Sequence, residues 1–238
     1  LGRAGVNVSF ISETGNDRVG KIILDFMKEN GVSTDHVNVF PEGKSPVSLA
    51  FLNERNDAQY IFYKDYPRLR LDVTLPEINR DDIVMIGSYY AVTPQLRDKI
   101  KELLDYARRQ GAIIYYDVNF RSTHKNEAIR LLPTILENFE YADIIRGSIE
   151  DFENMFALTD ADKVYKSKIE FYCPRFICTH GGGGIRLYTK CFRKTYEVEP
   201  LQTVSTVGAG DNFNAGVVFG LLKYRIRRDD LDELTERD

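Results

Sequence analysis

From Asp82 onward the chain alternates short apolar runs with amphipathic stretches, and that rhythm admits few folds. The segments 83–86, 112–116, 144–145 and 176–179 are strand-length and apolar, while 93–110 and 126–139 place apolar residues at helical spacing. Strands without polar alternation need cover on both faces. The sequence therefore predicts an α/β fold with a mostly parallel central sheet. Beyond it, 185–198 reads as a meander and 209–224 as a long helix.

The N-terminal third has a different beat. A strand is expected over 6–11, then a turn at Gly15-Asn16-Asp17, with Asp17 capping a helix that carries Val19, Ile22, Ile23, Phe26 and Met27 and stops at Asn30-Gly31. Two strands, 47–52 and 60–63, follow with only the polar Asn53 to Asp57 between them, which predicts a hairpin and a small projecting sheet within about 37–66. No repeat, low-complexity run or Pro/Gly-rich linker interrupts the chain, so 1–238 reads as one domain with the hairpin inserted. The opening at Leu1 resembles the end of a helix and 231–238 is a polar run, so truncation at both ends is expected.

Composition narrows the partners. With 238 residues and 43% hydrophobic content the chain can bury a sizeable core, and its net charge is only −4. The 32 basic residues are interspersed with 36 acidic ones, leaving no basic stripe for nucleic acid. Cys173, Cys178 and Cys191 lack C-x-x-C spacing, so they are expected as small core residues rather than zinc ligands or a disulfide framework. No apolar run reaches the roughly 18 residues of a membrane span, and the start lacks a signal peptide's charged and apolar regions. No membrane is expected as a partner, and the cytosol is the expected compartment.

Open parallel sheets bind ligands beyond the carboxyl ends of their strands, so the polar residues there carry the candidate chemistry. The sharpest segment is Ser205-Thr206-Val207-Gly208-Ala209-Gly210-Asp211, leading into an apolar helix. Gly208 and Gly210 let backbone approach a ligand, and a helix start offers unpaired N–H groups to an anion such as phosphate. Asp211 stands where a carboxylate can take a proton from an attacking hydroxyl. A tight turn with Asp211 as an ordinary cap is the equal alternative on this segment alone. Thr179-His180-Gly181-Gly182-Gly183-Gly184 closes the strand 176–178 and reads locally as a hairpin turn; His180 has no second metal ligand nearby. Asp117-Val118-Asn119-Phe120-Arg121 follows another strand, with alternation pointing Asp117, Asn119 and Arg121 to one side. Locally this is also a solvated loop. Ser148-Ile149-Glu150-Asp151 reads most strongly as a helix cap.

These four segments, in the order they take along the chain and over nearly its whole length, resemble the ribokinase-like carbohydrate kinases of the PfkB family, in particular the fructokinase and 2-keto-3-deoxygluconate kinase branch. The resemblance implies a three-layer ribokinase-like fold with a β-sheet lid, and transfer of a γ-phosphoryl group from ATP, with Mg²⁺, to a hydroxyl of a small sugar, fructose first. It further implies that Gly208, Ala209 and Gly210 form the anion hole and that Asp211 is the base. Asp117, Asn119 and Arg121 would line the sugar and phosphate side, Arg121 suiting a phosphate or an acidic substrate. Thr179, Gly181 and Gly184 would lie along the nucleotide. Ser148 and Asp151 fall at the family's Asn and Glu positions, of which the Glu works through water on Mg²⁺ and phosphate. Lys64, beside Phe62 and Tyr63, stands where lids of this branch commonly carry Arg; those aromatics also read as a homodimer face. Ser205 replaces the family's usual Asp, which implies weak dependence on a monovalent cation. The opening strand with its sugar-binding Asp and the last adenine-closing helices of the family are not found. A 2-keto-3-deoxygluconate kinase and a non-catalytic sugar- or nucleotide-binding relative are the rival expectations. No G-x-x-x-x-G-K-[ST] is present, which excludes a P-loop.

Overall fold

The computed structural model describes residues 1–52, 58–199 and 206–236, and its chain packs as two compact units. The first comprises Leu1–Glu77 together with 206–220 among the described residues. Its strands β1 (Val8–Ser9) and β2 (Ser12–Gly15), helix α1 (Arg18–Glu29), and strands β3 (Val32–Ser33) and β4 (Val37–Phe40) form two small parallel pairs, β1 with β3 and β2 with β4. Of the single strand expected over 6–11 only Val8–Ser9 is realised, and a second strand follows it at Ser12–Gly15. The ladder changes partner there: Phe10 N–H donates to Ser33 and Ser12 N–H to His36.

Asp17 is the cap that was expected. Its Oδ1 accepts from Gly20 N (2.8 Å) and Ser45 Oγ (2.7 Å), and its Oδ2 from Ser45 N (2.8 Å), which ties the start of α1 to the head of the strand Lys44–Leu52. The N–H groups of Gly20 and Ser45 hold its carboxyl down to about 2. Strands β5 (Lys44–Leu52) and β6 (Ala58–Asp65) form the antiparallel hairpin, with Val47 opposite Tyr63 and Leu49 opposite Ile61.

The second unit, Ile78–Gln202 with Leu221–Asp238, holds the parallel sheet. Along the chain it contains β7 (Ile83–Gly87), α2 (Arg97–Gln110), β8 (Ile113–Asp117), α3 (Ala128–Tyr141), β9 (Ile144–Ser148), α4 (Ile149–Phe156), α5 (Ala161–Val164), β10 (Phe176–Thr179), β11 (Ile185–Tyr188) and β12 (Arg193–Tyr196). The strand order is β12-β11-β10-β9-β8-β7; β7 to β10 run parallel and β11 and β12 complete an antiparallel meander. Every residue of β8 is buried, which is why its sequence shows an apolar run rather than alternation. Ile100, Leu103, Leu104 and Ala107 form the buried stripe of α2, and Leu131, Ile135 and Phe139 that of α3. Both helices start later than their apolar patterns, after short 3₁₀ turns at Pro94–Leu96 and Ser122–Glu127. The last helix, α6 (Ala209–Lys223), has its first turns in the first unit.

Cys173 and Cys178 are buried free thiols, as expected of core residues, whereas Cys191 is exposed in the turn between β11 and β12. Among the described residues no helix is long and apolar enough to cross a membrane.

Candidate functional site

In the second unit the register brings the ends of β7 and β8 level with each other, and those of β9 and β10 level two residues further along. Gly87 lies opposite Asp117, Asp117 opposite Arg146, and Ser148 opposite Thr179. Asp117 closes β8 and is buried, and its carbonyl accepts from Ser88 N at 3.1 Å. Strand geometry ends there. Asn119 adopts φ 40°, a left-handed conformation uncommon for a residue with a side chain, so strand alternation does not carry Asn119 and Arg121 to the side of Asp117. What fixes the loop is burial: Val118 and Phe120 are both in the core, and Asn154 Nδ2 holds the Phe120 carbonyl at 3.2 Å. Arg121 is exposed.

Between Asp117 and Thr179 stands Arg146 on β9, a residue the motifs did not single out. Its Nη1 donates to Asp117 Oδ1 and its Nη2 to Thr179 Oγ1, each at 2.9 Å, so one guanidinium joins three strands. One signal for it was present, since a charge within an apolar strand requires a buried partner. Thr179 then leads into a tight turn in which His180 N donates to the Gly184 carbonyl at 2.9 Å. Gly181 and Gly184 have φ of 44° and 93°, and a Cβ on Gly184 would stand 2.5 Å from the Tyr196 carbonyl oxygen, so the local reading of this segment as a hairpin turn is realised. His180 is exposed, and no group of three or more His, Cys, Asp or Glu among the described residues is arranged to hold a metal.

Ser148 and Asp151 form a capping box at the start of α4. Ser148 Oγ accepts from Asp151 N (3.2 Å), and Asp151 Oδ2 accepts from Ser148 N (2.7 Å) and from its hydroxyl (2.9 Å). Burial pushes the Asp151 carboxyl up to about 6, against the bonds from Ser148 that pull it down. A second cluster the sequence did not announce braces the loop after β8: the Tyr89 ring stacks on His124 at 3.9 Å, and its hydroxyl donates to Glu127 Oε2 at 3.0 Å.

In the first unit, Gly208 takes φ 81° in the turn before α6, and the first helical bond runs from Asn212 N to the Gly208 carbonyl at 2.9 Å. The N–H groups of Gly210 and Asp211 therefore lie ahead of the helical ladder, at the positive end of the helix. Ala209 N closes the turn on the Thr206 carbonyl at 3.2 Å, and the Asp211 side chain is exposed. Lys64 is exposed on β6, its Nζ 5.0 Å from the centre of the Phe62 ring. Ser205 lies outside the described residues.

Comparison with known proteins matches residues 1–236 to the pfkB family carbohydrate kinases. A 5-dehydro-2-deoxygluconokinase of Geobacillus thermodenitrificans is 28% identical over 239 residues, covering 93% of this chain and 69% of its own length. Probable fructokinase-4 of Arabidopsis thaliana is 26% identical over 252 residues, covering 99% and 74%. The crystal structure of a fructokinase from Vibrio cholerae O395, bound to fructose, ADP and calcium, superposes with a TM-score of 0.79 at 20% identity over 93% of this chain and 72% of that one. At that identity the likeness shows the fold.

Proposed function

This chain belongs to the pfkB family of carbohydrate kinases, and from that premise we propose that it moves the γ-phosphoryl group of ATP onto a hydroxyl of fructose, with Asp211 as the base. The observation that carries the assignment is the Gly208 turn at the head of α6, which sets backbone N–H groups ahead of the helical ladder beside the Asp211 carboxylate. Such a helix start suits a phosphoryl group, and the backbone of Gly208, Ala209 and Gly210 would neutralise charge that grows as the group migrates. Asp211 accepts the proton of the attacking hydroxyl, which acidifies as its bond to phosphorus forms.

On the acceptor side Asp117, Asn119, Arg121 and Lys64 recognise the sugar, and Thr179, Gly181 and Gly184 follow the nucleotide. Mg²⁺ fits as the counter-ion of the ATP phosphates, since such an ion needs few protein ligands beyond phosphate oxygens and water. Asp151 does not fit direct coordination: it is buried, with Oδ2 occupied by Ser148. With Ser148 it would act on the metal and phosphate only through water. Bound Mg²⁺ would supply charge neutralisation along the phosphates.

A keto-deoxy sugar acid is the second reading. It is favoured by the 5-dehydro-2-deoxygluconokinase relative and by the exposed Arg121, whose planar fork suits a carboxylate. A homodimer through the hairpin completes the proposal, because Leu49, Phe51, Ile61 and Tyr63 expose one apolar face of it.

The test is ADP release measured against fructose, ribose, adenosine, 2-keto-3-deoxygluconate and 5-dehydro-2-deoxygluconate, with the wild type beside Asp211→Asn. Fructose should give the highest kcat/KM, and preference for a sugar acid would replace it. Asp211→Asn keeps size but loses the basic charge, so kcat should fall by about 10² to 10⁴-fold while calorimetric binding of sugar and ATP changes little. An unchanged kcat would remove Asp211 from the chemistry.

A further inference from the structure

Arg146 is buried together with Asp117, and Thr179, the other group it holds, is half-buried. Its side chain is 8% exposed and that of Asp117 5%, and the pair is closed by the 2.9 Å bond from Nη1 to Oδ1. Asp117 lies directly opposite Arg146 on β8, while on β10 Ile177 is opposite and Thr179 stands two residues further along. Partners across a ladder, and residues two apart on one strand, point to the same face, so the three side chains share one face of the sheet. Segments separated by 29 and 33 residues are joined there by a single rigid group.

Hydrogen-bond chemistry gives this bridge a direction. Arg146 can only donate, so Thr179 Oγ1 must accept from it, and the Thr179 hydroxyl proton is then turned toward some other acceptor. A phosphate oxygen is such an acceptor. At the other end the guanidinium holds one carboxylate oxygen of Asp117 and neutralises its charge where water is excluded. Bonds in such a chain polarise one another, so a ligand that draws on Asp117 alters the donor that polarises Thr179, and the reverse.

We infer that Arg146 is a positioning residue that couples sugar binding at Asp117 to nucleotide binding at Thr179, each ligand tightening the other; this rests on the proposed reading of Asp117 as sugar-side and Thr179 as nucleotide-side. Lysine cannot replace it, because an ammonium on a flexible stem lacks the fork that meets two acceptors in fixed geometry. Coupling of this kind is reciprocal by linkage: the factor by which fructose tightens a non-hydrolysable ATP analogue must equal the factor by which the analogue tightens fructose.

The test is calorimetry of the ATP analogue with and without saturating fructose, or the preferred sugar of the activity panel, on wild type and Arg146→Lys. Wild type should show synergy of about fivefold or more. Arg146→Lys should melt near the wild-type temperature and bind each ligand alone near its wild-type affinity, yet lose the synergy. Because removing a buried ion-pair partner can prevent folding, Thr179→Val serves as the second variant: it leaves Arg146 with Asp117 and deletes the far acceptor, and because the same hydroxyl is offered to the nucleotide, the analogue is supplied at a concentration that saturates the variant. Fructose should then bind equally well with and without the analogue, and Thr179→Ser, which keeps the hydroxyl, should restore the difference. Synergy absent from an active wild type, or intact in Arg146→Lys or Thr179→Val, overturns the inference. A wild type that phosphorylates no sugar instead overturns the functional proposal, whatever the binding ratios.

Discussion

Asp151 shows how one buried atom group leaves a signature in solution. An ordinary Asp titrates near pH 3.9, whereas burial raises Asp151 to about 6, so between those values the folded chain holds a proton that the unfolded chain has released. Stability from this group is therefore highest below about pH 4, falls as pH rises through 6, and is level above it. The loss is on the order of 3 kcal/mol. Asp151→Asn is neutral throughout and can still accept from Ser148. Urea unfolding between pH 4 and pH 7 should show the wild type losing stability relative to the Asn variant by about that amount; parallel curves would mean that Asp151 does not titrate in the window. At this scale the sequence was legible where chemistry is local. The capping box at Ser148 and Asp151 and the cap at Asp17 were read from spacing alone and are present. The Asp117–Arg146–Thr179 bridge was not, because nothing in the neighbours of Arg146 says which strands will flank it.

At the scale of elements, the ends of β7 and β8 are held level by close backbone approach. A Cβ on Gly87 would stand 2.6 Å from the Asp117 carbonyl oxygen, so Gly87→Ala must push β7 away from β8 just where Ser88 N bonds Asp117. Crowding of this kind typically costs about 1–3 kcal/mol. The expected outcome is that loss in urea unfolding together with reduced kcat/KM, since Asp117 moves with its backbone. Gly182→Ala is the matched control: a Cβ there meets nothing within 4 Å, and its stability should change by less than about 0.5 kcal/mol. Equal effects of the two would show that β7 and β8 relax freely. Element types were predictable because periodicity reports burial, as the wholly buried β8 shows. Their ends were less so: the chain switches ladder partner between Phe10 and Ser12, and α2 and α3 begin only after 3₁₀ turns. Those limits are set by which distant backbone groups are available to pair.

For the molecule as a whole, the proposed dimer would rest on the hairpin face. Leu49, Phe51, Ile61 and Tyr63 are 42%, 54%, 48% and 58% exposed on one side of β5 and β6, a contiguous apolar surface of the sort that marks an interaction site. Sedimentation should find a dimer for the wild type and a monomer for Ile61→Glu, which sets a charge in the middle of that face opposite Leu49. A monomeric wild type at every concentration would rule the dimer out. The alternation of strands and helices, the hairpin, the caps and the Gly208–Asp211 turn could be read along the chain, because each follows from residues within a few positions of one another: period, punctuation and side-chain bonds to nearby backbone. That Asp117 is buried, that Asn119 leaves the strand with φ 40°, that Cys191 is exposed, and that Arg146 joins Asp117 to Thr179 came only with the packed fold. The physical reason is that burial and long-range pairing depend on sheet register and on what covers each face. A guanidinium can stay charged in that interior only because two strands distant in sequence bring it a carboxylate and a hydroxyl.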